Sequence, residues 1–131
     1  MKIIDKNLLD SVSEKAAESP RLRMNYNFHA TMDDKAQKLL NALEPGTVLP
    51  IHRHLHTSES YILLRGRLIV LFYNDDKVLT ESIELNPLDG KYGVDIPAGL
   101  WHSFEVLEPG TVIFEVKDGP YTPLTAEDIL E

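Results

Sequence analysis

The first apolar pattern along the chain has a helical period. In residues 5–18, DKNLLDSVSEKAAE, Leu8, Leu9, Val12 and Ala16 fall on one stripe. Asp5 stands where an N-cap carboxylate is wanted, and Pro20 stops the helix. At Arg21 the period drops to two. Arg21, Arg23, Asn25, Asn27 and His29 alternate with Leu22, Met24, Tyr26 and Phe28, which predicts a strand with one polar and one apolar face. Residues 35–43, KAQKLLNAL, are open: propensity favours a helix, and the position ahead of strand-like segments allows a strand. EPGT is a turn. SYILL reads as a short strand broken by Gly66, and RLIVLFY as a strand buried between two layers, because it is apolar on both faces. VLTESIEL alternates, VDI, HSFEV and TVIFEV are short strands between PAG and LEPG turns, and the tail PLTAEDILE ends in a helical turn with Thr125 as cap. Short strands with turns every eight to twelve residues or so predict an all-β sandwich or barrel.

Composition narrows the chemistry. A chain of 131 residues is about one ordinary domain and can bury a core without staples. It has no cysteine, so any bound metal must be held by His, Asp or Glu. The net charge of −8 argues against nucleic acid and anionic lipid as partners, since no excess of Lys and Arg can displace counterions. The N-terminus lacks an apolar core of signal-peptide length, and no apolar run approaches the roughly 20 residues of a membrane span. The expectation is a cytoplasmic protein.

Against that background, residues 50–60, PIHRHLHTSES, place three of the five histidines within five positions. They are either a solvated polar loop or part of a metal site. On a strand, His52 and His54 would share a face with Cα atoms about 6.6 Å apart. Glu59 would return to the same point if its strand paired antiparallel with theirs. His102, after PAGLW, is free to add a fourth ligand from across a barrel. Three imidazoles and one carboxylate suit Fe(II), Mn(II), Co(II), Ni(II) or Zn(II), and leave coordination positions open for chemistry.

The spacing of these residues resembles the cupin superfamily. Gly46, His52, His54, Glu59 and Gly66 match the first cupin motif, G-x5-H-x-H-x4-E-x6-G, and Pro97, Gly99 and His102 match the second. The second motif departs at Gly90, shifted by one residue, and at Val106, where asparagine is usual. The resemblance implies an all-β fold: a single cupin (double-stranded β-helix, RmlC-like jelly-roll) barrel over residues 21–131. Residues 1–20 would form a short helix packed upon it. It further implies one divalent transition metal on His52, His54, Glu59 and His102. The flanks RLRMNYNFH, ESYILLRGRLIVLFY and FEVKDGPY resemble the WbuC-type cupin fold metalloproteins, which are associated with bacterial surface-polysaccharide gene clusters.

Other residues carry two readings each. His56 shares the parity of His52 and His54 but falls in the loop, which favours a supporting or surface place over ligation. The face Arg21, Arg23, Asn25, Asn27 suits an anionic or hydroxyl-rich ligand, and equally a dimer interface or a cover for the barrel mouth. Trp101 and Phe104 read as barrel packing before a sugar-stacking platform. Tyr61 points to the same side as Glu59. Glu115 and Lys117 share a face, as an exposed pair or as a general acid or base with its neighbour. The directions of Arg53, Arg65 and Arg67 are open. The expected function is that of a metal-dependent sugar isomerase or epimerase, with Glu115, Tyr61 or His29 moving the proton. Its substrate would be a small anionic sugar, sugar-phosphate or nucleotide-sugar. The alternatives are a non-catalytic sugar-binding module and an Fe(II) oxygenase. A homodimer is the expected assembly.

Overall fold

The Asp5 carboxylate accepts a hydrogen bond from the Leu8 N–H at 2.9 Å, and the helix it caps, α1, runs Lys6–Glu18. The computed structural model describes residues 1–130. The last position of the expected barrel, 131, lies outside the described residues. After the helix come β1 (Arg23–Asn27), β2 (Ala36–Leu43), β3 (Ile51–His52), β4 (Glu59–Arg65) and β5 (Leu68–Tyr73). Then follow β6 (Leu79–Leu85), β7 (Gly93–Ile96), β8 (Trp101–Val106), β9 (Thr111–Asp118) and β10 (Ile129–Leu130). They form two five-stranded antiparallel sheets, β1-β2-β9-β4-β7 and β10-β3-β8-β5-β6. The expected all-β jelly-roll barrel with a short N-terminal helix is the observed fold.

Strand alternation places the core. Leu43, Tyr61, Leu63 and Ile113 from the first sheet meet Leu68, Val70, Phe72, Phe104 and Val106 from the second. The other face of the first sheet supplies Leu40, Ala42 and Val112, on which Leu9, Val12 and Ala16 of α1 pack beside Met24, Tyr26 and Phe28. The even positions of β1 therefore seat the helix and the odd positions face the barrel interior. Arg65 ties the helix down: its Nη1 donates to Asp10 Oδ1 at 2.7 Å, Nη2 to Ser13 Oγ at 3.0 Å and Nε to Gly110 O at 2.8 Å.

Three segments differ from expectation. Residues 36–43 are strand, because β2 pairs along its length with β9 on one side and with β1 on the other. That pairing outweighs its helical propensity. In β5 only Leu68, Val70 and Phe72 are buried, while Ile69, Leu71 and Tyr73 are half-buried on the outer face. The reason is that α1 packs on the opposite sheet. The tail forms a single 3-10 turn, Ala126–Asp128, and then adds β10, whose Ile129 pairs with His52. Between β4 and β5, Gly66 has φ +93°, and a Cβ there would collide with Thr111. This turn needs glycine for both reasons.

Candidate metal centre

His52 ends β3, and His102 sits opposite it on β8 in antiparallel register. His54 lies just beyond the strand, its carbonyl accepting from the Gly99 N–H at 2.8 Å. Glu59 opens β4 in the facing sheet, where it pairs with Ile96 and Lys117. The arrangement inverts part of the expected one. Glu59 comes from across the barrel rather than from a strand paired with the histidines, and His102 is the neighbour. The jelly-roll connection after residue 54 carries the chain to the other sheet, which a local hairpin would not do.

One ligand atom from each of His52, His54, Glu59 and His102 lies within 4.8 Å of all the others. Their donor chemistry fits a cation. The Nδ1 atoms of His52 and His102 sit 2.9 Å from the Pro50 and Leu100 carbonyls, which only accept, so both rings carry their proton on Nδ1. Each Nε2 then turns a lone pair inward. His102 Nε2 lies 2.6 Å from Glu59 Oε1 and His54 Nε2 lies 3.6 Å from Glu59 Oε2. A His102 lone pair facing a carboxylate oxygen at 2.6 Å needs a positive charge between them, a proton or a metal ion. Burial pushes His52 down to about 4, helped by the charge of His102, and burial lowers His54 as well. Burial alone would raise Glu59, but the hydrogen bond and charge of His102, then the charge of His54, hold it at about 2. Neutral imidazoles at His52 and His54 beside an ionised Glu59 suit the protonation that a divalent ion requires.

The pocket above this cluster, about 210 Å³, is lined further by Arg21, Arg23, Asn25, Asn41, Tyr61 and Glu115. Tyr61 Oη donates to Glu59 Oε1 at 2.9 Å, and burial followed by the charges of Glu59 and Glu115 keeps the phenol well above its usual range. Glu115, next to Tyr61 in register, accepts from Asn41 Nδ2 at 3.0 Å. Burial and then the Glu59 charge raise it to about 7, against the opposing pull of Asn41. Arg23 Nη1 donates to Val48 O at 2.8 Å. Among the described residues neither Arg21, Arg23 nor Lys117 is ion-paired, although the chain carries 21 Asp and Glu against 13 Lys and Arg. Three cations without an ion pair, Arg21, Arg23 and Lys117, therefore line this one pocket.

The remaining candidates fall outside it. Asn27 and His29 line an adjoining cavity, with His29 Nδ1 lying 3.1 Å from both the Lys38 N–H and the Lys38 carbonyl. His56 is exposed beside Arg53 and His54 at a separate opening. Trp101 faces outward: its Nε1 donates to Asp75 Oδ1 at 2.7 Å and Arg53 stacks 4.4 Å from its ring. Phe104 packs in the core and borders the pocket. Arg53 pairs with Asp128, Arg65 with Asp10 and Arg67 with Glu84. Asn41 was missed in the sequence; once residues 36–43 are a strand, its parity with Leu43 turns it inward.

A family profile described as a domain of unknown function (DUF6016) matches residues 4–85. This chain belongs to the DUF6016 family. The DUF6016 match includes His52, His54 and Glu59 and ends before His102. No curated protein matches the chain. Solved structures with a similar fold include KdgF from Halomonas sp., 17% identical with TM-score 0.61, covering 79% of this chain and 84% of that one. The capsular polysaccharide assembling protein CapF of Staphylococcus aureus is 24% identical with TM-score 0.61, over 80% of this chain and 28% of CapF. Bacillus subtilis oxalate decarboxylase, a protein with Mn(II) centres, is 17% identical with TM-score 0.57, over 77% of this chain and 26% of that one. This DUF6016 chain thus spans little more than a quarter of the latter two proteins. The likeness to these neighbours is one of fold. Among the described residues no helix is long and apolar enough to cross a membrane.

Proposed function

We propose that this protein is a metal-binding cupin that holds one divalent transition ion (Zn, Fe, Mn, Ni or Co) on His52, His54, Glu59 and His102. Its ligand is a small anionic sugar, sugar-phosphate or nucleotide-sugar, which it isomerises or epimerises. The observation that carries the reading is the convergence, in one pocket, of the four-donor cluster, the buried carboxyl of Glu115 and the unpaired Arg21 and Arg23. A divalent ion there supplies Lewis acidity, which acidifies a C–H or O–H next to the oxygens it binds. Arg21 and Arg23 hold the anionic end by bidentate donation. Glu115, whose carboxyl is raised first by burial, exchanges a proton with the carbon. Tyr61 stays protonated and acts as a donor, orienting Glu59 and the bound ligand. His29, in the adjoining cavity, takes no part in the proton transfer.

The finer parts of the reading have their own supports. The flanking segments resemble the WbuC-type cupin fold metalloproteins, and CapF in complex with an inhibitor, 25% identical with TM-score 0.55, is a capsular polysaccharide protein. Both favour surface-polysaccharide chemistry in a bacterial cytoplasm. We take residues 21–131 as one barrel domain and 1–20 as its helical cover. The exposed Ile62, Leu64 and Val116 on the outer face of the first sheet suit a homodimer contact.

The test is metal content by mass spectrometry on untagged protein, wild type against His54→Ala, followed by solvent-deuterium incorporation into candidate sugar phosphates. About one transition ion per chain, lost in the variant, with C–H exchange that Glu115→Gln abolishes, is the expected result. No metal in either protein overturns the metal reading. Ligand binding without exchange under every metal moves the protein to a binding module, and oxygen consumption with Fe(II) moves it to an oxygenase.

A further inference from the structure

The inner face of the first sheet stays polar past the metal pocket. Reading from β4 through β9 to β2, Glu59 pairs with Lys117 and Lys117 with Gln37; Glu115 pairs with Leu39, which pairs with Asn27 on β1. A second cavity of about 130 Å³ opens over this stretch. It shares Asn25, Glu115 and Lys117 with the metal pocket and adds Asn27, His29, Gln37 and Tyr121 together with the apolar Met32 and Leu39. β9 lies between Glu59, in the first cavity, and Gln37, in the second, which sets those two residues about 10 Å apart, two strand spacings.

The added lining has no Asp, Glu, Lys or Arg. It offers amide, imidazole and phenol groups and one aromatic face. It is also braced: Gln37 Nε2 donates to Asp34 O at 2.8 Å and the Tyr121 N–H donates to Met32 O at 2.7 Å. His29 Nδ1 lies 3.1 Å from both the Lys38 N–H and the Lys38 carbonyl, so it is satisfied in either tautomer, and its Nε2 is buried without a partner. Asn41 Oδ1, in the metal pocket, is a buried acceptor without a partner. Such orphans are few in folded proteins. A hydroxyl group serves both, because it can accept from or donate to a ring nitrogen and donate to an amide oxygen.

We infer that this cavity is a second subsite, binding the hydroxyl-bearing remainder of a ligand whose anionic end lies in the metal pocket. The ligand class is then a polyhydroxylated anion long enough to cross the Glu115–Lys117 wall, with Asn27 and His29 hydrogen-bonding its hydroxyls and Tyr121 packing on its apolar face. The inference rests on the reading of the first pocket as an anion site beside the metal.

Calorimetric titration of the metal-loaded protein with inorganic phosphate and with the 6-phosphates of glucose, mannose, galactose and fructose tests it. At least one hexose phosphate is expected to bind about ten-fold more tightly than inorganic phosphate, the worth of one or two hydrogen bonds. Asn27→Ala and Tyr121→Ala, both at exposed positions, should erase that gain and leave phosphate affinity unchanged, whereas Arg23→Ala should weaken both. Equal affinities for all five compounds, or a gain that survives in both variants, overturns the subsite. If neither phosphate nor any hexose phosphate binds, the anion reading of the first pocket fails and the subsite falls with it.

Discussion

Replacing Glu115 with Gln should stabilise the metal-free protein, and the gain should grow with pH. The carboxyl is raised in the folded state from 4.5 to about 7, by burial first and by the Glu59 charge second. A raised carboxyl pKa means that the folded protein binds the proton more tightly than the unfolded chain. The Glu115 contribution to stability is therefore greatest at low pH and falls as pH rises from 4.5 through about 7. Each ten-fold difference in proton affinity between the folded and unfolded chain is worth about 1.4 kcal/mol. The penalty on the wild type is thus about 1 kcal/mol near pH 5.5 and up to about 3 kcal/mol near pH 8.5. The upper figure is a ceiling, because Glu115 is half-buried and water in the pocket screens its charge. Gln keeps the oxygen that accepts from Asn41 Nδ2 and carries no charge. The assay is urea unfolding followed by circular dichroism, wild type against Glu115→Gln, across that pH range. The difference should widen by up to about 2 kcal/mol between the two ends. A difference independent of pH, or one that shrinks as pH rises, refutes the argument. Loading the protein with zinc should narrow the gap, since a cation on Glu59 removes the second cause.

Three further perturbations follow from the same geometry. Gly66→Ala meets both a φ of +93° and a collision with Thr111, so the urea midpoint should drop by the equivalent of more than about 2 kcal/mol. An unchanged midpoint would contradict the close approach. Arg65→Ala removes the hydrogen bonds to Asp10, Ser13 and Gly110 and should lower unfolding free energy by about 2 kcal/mol while leaving metal content intact, as mass spectrometry can check. The His52 contribution to the stability of metal-free protein should fall as pH falls from 6.5 towards about 4, against the opposing gain from Glu115, because His52 is buried neutral and must charge on unfolding; in the Glu115→Gln background His52→Gln should flatten that acid slope, and an equal slope with and without His52 would show that another group dominates.

The strands whose periodicity was local could be read from the chain. The alternation from Arg21 to His29 gave both faces of β1, and the spacing of His52, His54, Glu59 and His102 gave a cluster that closes within 4.8 Å. What could not be read is what depends on which strand lies beside which. Glu59 was placed next to the histidines and stands opposite them, because strand order in a jelly roll is set by long crossings that leave no mark on local pattern. β2 was ambiguous for the same reason, and with it went Asn41, the residue that holds Glu115. β10 is two residues long, too short for any period to show.

The two-sided character of β1 has a consequence for how this protein can change. Positions 24 and 26 are committed to the helix, whereas 23 and 25 face the metal pocket and 25 and 27 the cavity beside it. The four candidate donors lie on other elements altogether, His52 on β3, His54 just past it, Glu59 on β4 and His102 on β8. Ligand preference can therefore drift, or be redesigned, through three alternating positions of a single edge strand, with neither the scaffold nor the metal obliged to follow.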